Sequence, residues 1–218
     1  MTNPTASLPS LDALLDSGVI AVVRMQEKAD LRAAARALAA GGVGAVEITL
    51  TTPGAIDAIG ELVADGEPGC VVGAGTVLDQ AAARSVMDAG ARFVVSPTLN
   101  PAVIRLCRER DIPCVPGAFT PTEILEAWRA GAPLVKLFPA AAVGPGYLRD
   151  VLAPLPFVRL VPSGGVTLEN TADWIRAGAA AVSVGSALVS PALVAGESTT
   201  ELTVRARSFV ECVARARQ

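Results

Sequence analysis

Two side chains are candidates for chemistry because each is an ionisable group set in an apolar run: Lys136 in PLVKLFP and Glu47 in AVEITL. The chain contains no histidine, the usual general base near neutral pH and a common zinc ligand. Proton transfer must therefore fall to carboxylates, lysine or tyrosine. Of the 18 Lys and Arg residues only Lys28 and Lys136 are lysine, and Lys28 lies in a polar segment where it reads as solvated. Lys136 stands among Leu134, Val135, Leu137 and Phe138, and burying it to no purpose would be costly. Desolvation disfavours an ammonium, which makes a buried lysine a candidate nucleophile for Schiff-base formation with a carbonyl. The alternative is a structural ion pair with Glu47. Glu47 itself reads either as a general acid/base or as a buried acid satisfied by Lys136 or by a hydroxyl such as that of Thr49. If the two lie close together they titrate as a coupled pair.

Glycine turns supply a second feature. Ser163-Gly164-Gly165, before a helix expected to start near Thr167, and Val184-Gly185-Ser186 together suggest a two-part cradle of backbone N–H groups suited to phosphate. Gly73-Ala74-Gly75-Thr76 lacks the G-x-G-x-x-G spacing and a Walker lysine, so it reads as backbone closely approached by a substrate.

A repeated unit positions these residues. Ser17-Gly18, Gly41-Gly42, Ala89-Gly90, Ala130-Gly131 and Ala177-Gly178 each precede an apolar, β-branched run, the pattern of a helix ended by glycine and followed by a strand. Thr52-Pro53, Asn100-Pro101 and Thr120-Pro121-Thr122-Glu123 read as helix starts, the last as a capping box. Strands are expected near 19–24, 44–50, 70–75, 92–96, 113–116, 133–138, 158–162 and 180–185, apolar on both faces as a covered parallel sheet requires. Eight such units predict an α/β fold, a (β/α)8 TIM barrel formed as one domain over residues 1–218, with an extra N-terminal helix over 7–17 and a closing helix over 200–216. A doubly wound sheet is the alternative. In a barrel the chemistry belongs at the C-terminal ends of the strands, and there Glu47, Gly73 to Thr76, Ser96-Pro97, Lys136, Ser163 to Gly165 and Gly185-Ser186 cluster.

Composition excludes several classes. A net charge of −3 and 4% aromatics argue against a nucleic-acid partner. The uncharged run from Ala177 to Gly196 is broken by glycines, serines and Pro191, so it reads as buried strand and loop and no membrane partner is expected. MTNPTASLPS lacks the features of a signal peptide, which predicts a cytoplasmic protein. Cys70, Cys107, Cys114 and Cys212 form no C-x-x-C pair and read as small buried apolar residues. With no histidine to ligate it, no metal is expected, and no cofactor.

VEITL around Glu47, GAGTVL from Gly73, Ser96-Pro97, KLFP from Lys136 and the Ser-Gly-Gly and Val-Gly-Ser turns, in this order, resemble the KDPG/KHG aldolase family from about residue 10 to the C-terminus. The resemblance implies a class I lyase that cleaves 2-keto-3-deoxy-6-phosphogluconate (KDPG) to pyruvate and glyceraldehyde 3-phosphate. It also implies Lys136 as the Schiff-base residue, Glu47 as general acid/base, Thr76 and Pro97 in the pyruvate pocket and Phe138 as its wall. Ser163, Gly164, Gly165, Gly185 and Ser186 would hold phosphate. The implied partner is a small keto acid phosphate, and the implied assembly a homotrimer. Where many relatives carry arginine after the VEITL-like segment, this chain has Thr51, while Arg24 resembles an arginine of other branches and offers two parallel donors to the substrate carboxylate. The alternative for Arg24 is a rim salt bridge to Glu27 or Asp30. Thr51 leaves the galactonate epimer and 4-hydroxy-2-oxoglutarate open as substrates. A phosphosugar isomerase or epimerase with Glu47 as base, and a barrel that merely binds phosphosugars, are the rival readings.

Overall fold

The computed structural model describes residues 9–66, 69–195 and 199–218. A first helix, α1 (Pro9–Asp16), leads into β1 (Val19–Val23), and helices then alternate with strands: α2 (Arg32–Ala40), β2 (Ala45–Thr49), α3 (Ala55–Asp65), β3 (Val71–Gly75), α4 (Gln80–Asp88), β4 (Val94–Val95) and α5 (Pro101–Glu109). The second half runs β5 (Cys114–Val115), β6 (Gly117–Ala118), α6 (Pro121–Arg129), β7 (Val135–Leu137), α7 (Gly144–Leu152), β8 (Leu160–Pro162), α8 (Leu168–Arg176), β9 (Val182–Val184), α9 (Pro191–Ala195) and α10 (Thr200–Ala216). The helix-ending glycines behave as the sequence demands, each at positive φ, from 63° at Gly18 to 106° at Gly178. Thr120 and Glu123 form the expected reciprocal cap, the Glu123 N–H donating to Thr120 Oγ1 and the Thr120 N–H to Glu123 Oε2. Asn100 caps α5 by accepting from the Ala102 N–H.

All strand pairs are parallel and form an α/β sheet in two arcs, β5-β4-β3-β2-β1-β9 and β6-β7-β8. At the other junction β8 meets β9 through a bridge from Ser163 to Ser183 and through the Ala180 N–H, which donates to the Leu160 carbonyl. The strand expected over 113–116 is instead two short pieces on either side of Pro116, which has no N–H to give. β5 pairs with β4 and β6 with β7, so the chain itself carries one arc into the other.

The apolar residues fall into two clusters that record which way each side chain points. One gathers Ile20, Ala45, Phe93, Val95, Val115, Leu134, Val161 and Ala181 from both arcs together with Leu11 and Leu14 of α1. The other gathers the alternate strand positions, such as Val19, Val46, Val94 and Val135, with the helices. Because successive strand residues point to opposite sides, the first cluster marks an interior shared by both arcs. α1 covers the N-terminal ends of the strands: its Leu11 and Leu14 meet the first interior layer, and Ser17 Oγ accepts from the Gly44 N–H at the start of β2.

Two further expectations are corrected. The helix signalled by Thr52-Pro53 begins at Ala55, with Gly54 in a left-handed conformation before it and no side-chain cap. Cys70 and Cys212 are half-buried, whereas Cys107 and Cys114 are buried, because the first precedes β3 and the second lies on the outer helix α10. The expected N-terminal helix is present over Pro9–Asp16 among the described residues; residues 7 and 8 of the expected span lie outside them, as does Gly196 of the long apolar run. No helix among the described residues is long and apolar enough to cross a membrane.

Phe93 is fully buried in the interior layer, where a Cβ on Gly73 would collide with its ring. Phe93→Ala is expected to lower stability by about 3–5 kcal/mol in urea unfolding, through lost burial and an unfilled cavity.

Candidate active site

Counting by twos from the interior cluster places the next layer. Glu47 and Thr49 follow Ala45 on β2, Gly73 and Gly75 alternate with outward-facing Ala74 on β3, Lys136 and Phe138 follow Leu134 on β7, Ser163 follows Val161 on β8, and Ser183 and Gly185 follow Ala181 on β9. Arg24 continues the series Ile20, Val22 just past β1. Lys136, Glu47 and the two serines are thus directed into one interior toward the C-terminal ends of the strands.

Glu47 is 2% exposed and Lys136 8%. Neither takes part in a salt bridge among the described residues, so the structural ion pair is not formed. Glu47 Oε2 is buried without a hydrogen-bond partner. Burial pushes the Glu47 carboxyl above the ordinary carboxylate range, and the positive charges of Lys136 and then Arg24 partly oppose that rise. Lys136 Nζ lies 5.2 Å from the centroid of the Phe138 ring. Space for the carboxyl comes from β3: a Cβ on Gly75 would overlap Glu47 Oε1. Gly75 stays in register with β2 because its carbonyl accepts from the Leu50 N–H.

The remaining candidates surround this pair. Arg24 is exposed and pairs with neither Glu27 nor Asp30; Asp30 lies 3.6 Å from Arg32 instead. Thr51 is exposed, its hydroxyl 3.1 Å from that of Thr49. Thr76, half-buried, follows Gly75 directly, and Pro97, also half-buried, follows β4 so closely against β6 that a Cβ on Gly117 would strike the Pro97 carbonyl. Phe138 rests against Gly164, 3.4 Å from where a Cβ would stand. Gly164 and Gly165 both hold positive φ, at 86° and 79°, and their carbonyls are engaged by the Ala141 N–H and by Asn170 Nδ2. The turn ends just before Thr167, the N-cap residue of α8. Gly185 faces open space and Ser186 is exposed.

Two residues were not singled out by sequence reasoning. Ser183 is buried and accepts a 3.3 Å hydrogen bond from Ser163 Oγ; its place in AVSVG, two before Gly185, was the available signal. Thr52, read as a helix start, is buried at the end of β2, and its hydroxyl accepts from the Met25 N–H. Among the described residues, no group of three or more Cys, Asp or Glu could hold a metal ion.

A parallel α/β scaffold with a buried amine and a buried carboxyl facing one interior toward the strand C-termini has the arrangement expected of an enzyme acting on a small carbonyl compound. Residues 12–204 match the family described as KDPG and KHG aldolase, and the chain belongs to that family. It is 37% identical over 184 residues, 84% of this chain and 87% of the other, to a Rhizobium meliloti protein described as "Probable 2-dehydro-3-deoxy-6-phosphogalactonate aldolase". It is 36% identical over 205 residues, 93% of this chain and 95% of the other, to the Escherichia coli KHG/KDPG aldolase. A crystal structure of a KDPG aldolase from Legionella pneumophila, with pyruvate captured as a covalent carbinolamine intermediate, superposes with a TM-score of 0.76 at 30% identity, covering 95% of this chain and 98% of that one.

Burial of Glu47 has a signed consequence for stability. Below its ordinary pKa of 4.5 the carboxyl is protonated in folded and unfolded chains alike. As pH rises from there through the raised folded value, only the unfolded chain gives up the proton, so stability falls across that window and levels off above it. Glu47→Gln, neutral throughout, should lack this fall. Urea unfolding of both chains at a series of pH values should show the glutamine variant gaining relative stability upward from 4.5; parallel curves would contradict the burial argument.

Proposed function

We propose that this chain is a class I aldolase that cleaves KDPG to pyruvate and glyceraldehyde 3-phosphate, acting as a single domain in which the two arcs close into a (β/α)8 barrel floored by α1. The observation that carries the reading is Lys136, buried without an ion pair, in the same interior as a carboxyl whose Oε2 has no partner. The cytoplasmic homotrimer belongs to the same reading and is supported by family resemblance.

The chemistry follows from these groups. The unprotonated Lys136 amine attacks the C2 carbonyl carbon, giving a carbinolamine. Glu47 delivers a proton to the departing hydroxyl, water leaves, and an iminium forms that can accept an electron pair. Glu47, now a carboxylate, takes the proton of the C4 hydroxyl, directly or through water. The C3–C4 bond breaks, its electrons passing into the iminium to give an enamine, while C4 becomes the aldehyde of glyceraldehyde 3-phosphate. Protonation of the enamine at C3 and hydrolysis of the resulting iminium release pyruvate and restore the amine. A carboxyl raised above its ordinary range suits both halves of this work, since it must hold the proton in one step and accept it in another.

Arg24 is assigned to the substrate carboxylate: it is directed to the mouth of the interior, has no salt bridge among the described residues, and stands close enough to influence Glu47. Thr76 and Pro97 line the pyruvate end and Phe138 forms a wall. Ser163, Gly164, Gly165, Gly185 and Ser186 take the phosphate through N–H groups and hydroxyls, with the start of α8 adding favourable dipole. Thr51, a short neutral side chain where many relatives place arginine, supports a second reading in which the galactonate epimer is the better substrate, in keeping with the Rhizobium meliloti relative.

Borohydride reduction in the presence of pyruvate should add a reduced pyruvyl group to Lys136, detected by peptide mass. Lys136→Met should neither trap pyruvate nor release it from KDPG in a lactate dehydrogenase-coupled assay. Full pyruvate release by that variant, with no adduct in the parent, would refute the Schiff-base mechanism, whereas a parent that neither traps nor releases pyruvate would favour an isomerase or a binding protein. Gly75→Ala, by displacing the Glu47 carboxyl, should depress kcat by about 10²–10⁴-fold, as loss of general acid–base catalysis does.

A further inference from the structure

Arg24 is exposed and forms no salt bridge among the described residues, so no charged side-chain partner fixes its direction. The ladder between β1 and β2 ends with Val23 opposite Ile48, one residue short of it. The next connection across the two strands comes from a side chain. Thr52 Oγ1 accepts from the Met25 N–H at 3.0 Å and lies 3.2 Å from Thr49 Oγ1, which in turn lies 3.1 Å from Thr51 Oγ1. Thr52 is held in this place by a tight turn, its own N–H donating to the Thr49 carbonyl at 2.9 Å. Thr52 and Met25 are 4% and 7% exposed, so the Met25 N–H would lose a partner that water could not easily replace.

We propose that Thr52 is a positioning residue for Arg24: its hydroxyl, seated between Thr49 and the Met25 N–H, clamps the chain just past β1 so that the guanidinium is aimed at the carboxylate of the keto acid. The clamp rests on the assignment of Arg24 made above. It adds a residue that touches no substrate and acts through the backbone of its neighbour. A bidentate guanidinium–carboxylate contact requires both groups in a shared plane, and small displacements of the anchoring backbone forfeit it. The clamp also gives the hydroxyl of Thr51 a role, as the outer member of a threonine cluster that stiffens the end of β2.

The test uses the intact chain and pyruvate, the smallest ligand that carries both the ketone and the carboxylate, with borohydride trapping followed by intact mass. Thr52→Val removes the acceptor while keeping the shape, and Thr52→Ala leaves room for water beside the Met25 N–H should valine compromise folding. Each should raise the half-saturating pyruvate concentration about tenfold while leaving the plateau of trapped protein unchanged, a loss of ligand binding without loss of the amine. Thr52→Ser, which keeps the hydroxyl, should stay within about twofold of the parent. In an Arg24→Ala background, Thr52→Val should add nothing further, because the two act as one unit. Unchanged half-saturation in both Thr52→Val and Thr52→Ala, or a full additional rise on top of Arg24→Ala, overturns the clamp. Parental half-saturation in Arg24→Ala overturns the carboxylate assignment and the clamp with it, whereas failure of the parent to trap pyruvate at all overturns the imine chemistry itself.

Discussion

Keeping an amine and a carboxyl out of water, near enough for the charge of the amine to reach the carboxyl yet not joined as a salt bridge, is the constraint on which the rest of this structure turns. A charged group buried alone is expensive, and a buried pair in contact would spend the reactivity of both. The Glu47 carboxyl avoids the cost by favouring its neutral form, which places no net charge on its neighbour. That solution works only while water is excluded and the two side chains are held apart by the wall they project from. The interior layer of Ile20, Ala45, Phe93, Val95, Val115, Leu134, Val161 and Ala181 supplies the dry base, and β3 supplies the room. Gly73 yields its space to Phe93 and Gly75 yields its space to Glu47, so two glycines on one strand serve packing below and chemistry above.

The helix–glycine–strand repeat was legible because each signal is local. A left-handed residue after a helix and a capping residue before one are set by a few neighbouring side chains, and Gly18, Gly178, Asn100 and Thr120 do what their identity requires. Lys136 and Glu47 were legible for a related reason: an ionisable residue in an apolar run must either be paired or be used. The separation between them was not, since it depends on how far apart β2 and β7 stand across the interior, a distance no local pattern encodes.

The misreadings share a cause. Pro116 looked like the end of one strand, but it marks the point where the backbone changes partner, a property of the neighbours β4 and β7 that the segment itself does not carry. Thr52 before Pro53 has the form of a helix start, yet its hydroxyl is taken by Met25, 27 residues away in the chain. Ser183 passed unnoticed inside AVSVG because its partner, Ser163, belongs to another strand. In each case a contact distant in sequence prevailed over a local preference.

The helix that covers the N-terminal ends of the strands governs molecular traffic. Under the barrel reading, Leu11 and Leu14, packed with the lowest interior residues, close that end, and whatever enters at the opposite rim returns by it. Under the aldolase reading, the fragment tethered to Lys136 occupies the deeper position and the aldehyde lies between it and the opening. The aldehyde therefore departs first, and in the synthetic direction the keto acid has to arrive first. In such a pocket the covalent tether and the floor laid by the eight residues of α1 enforce the same order of events.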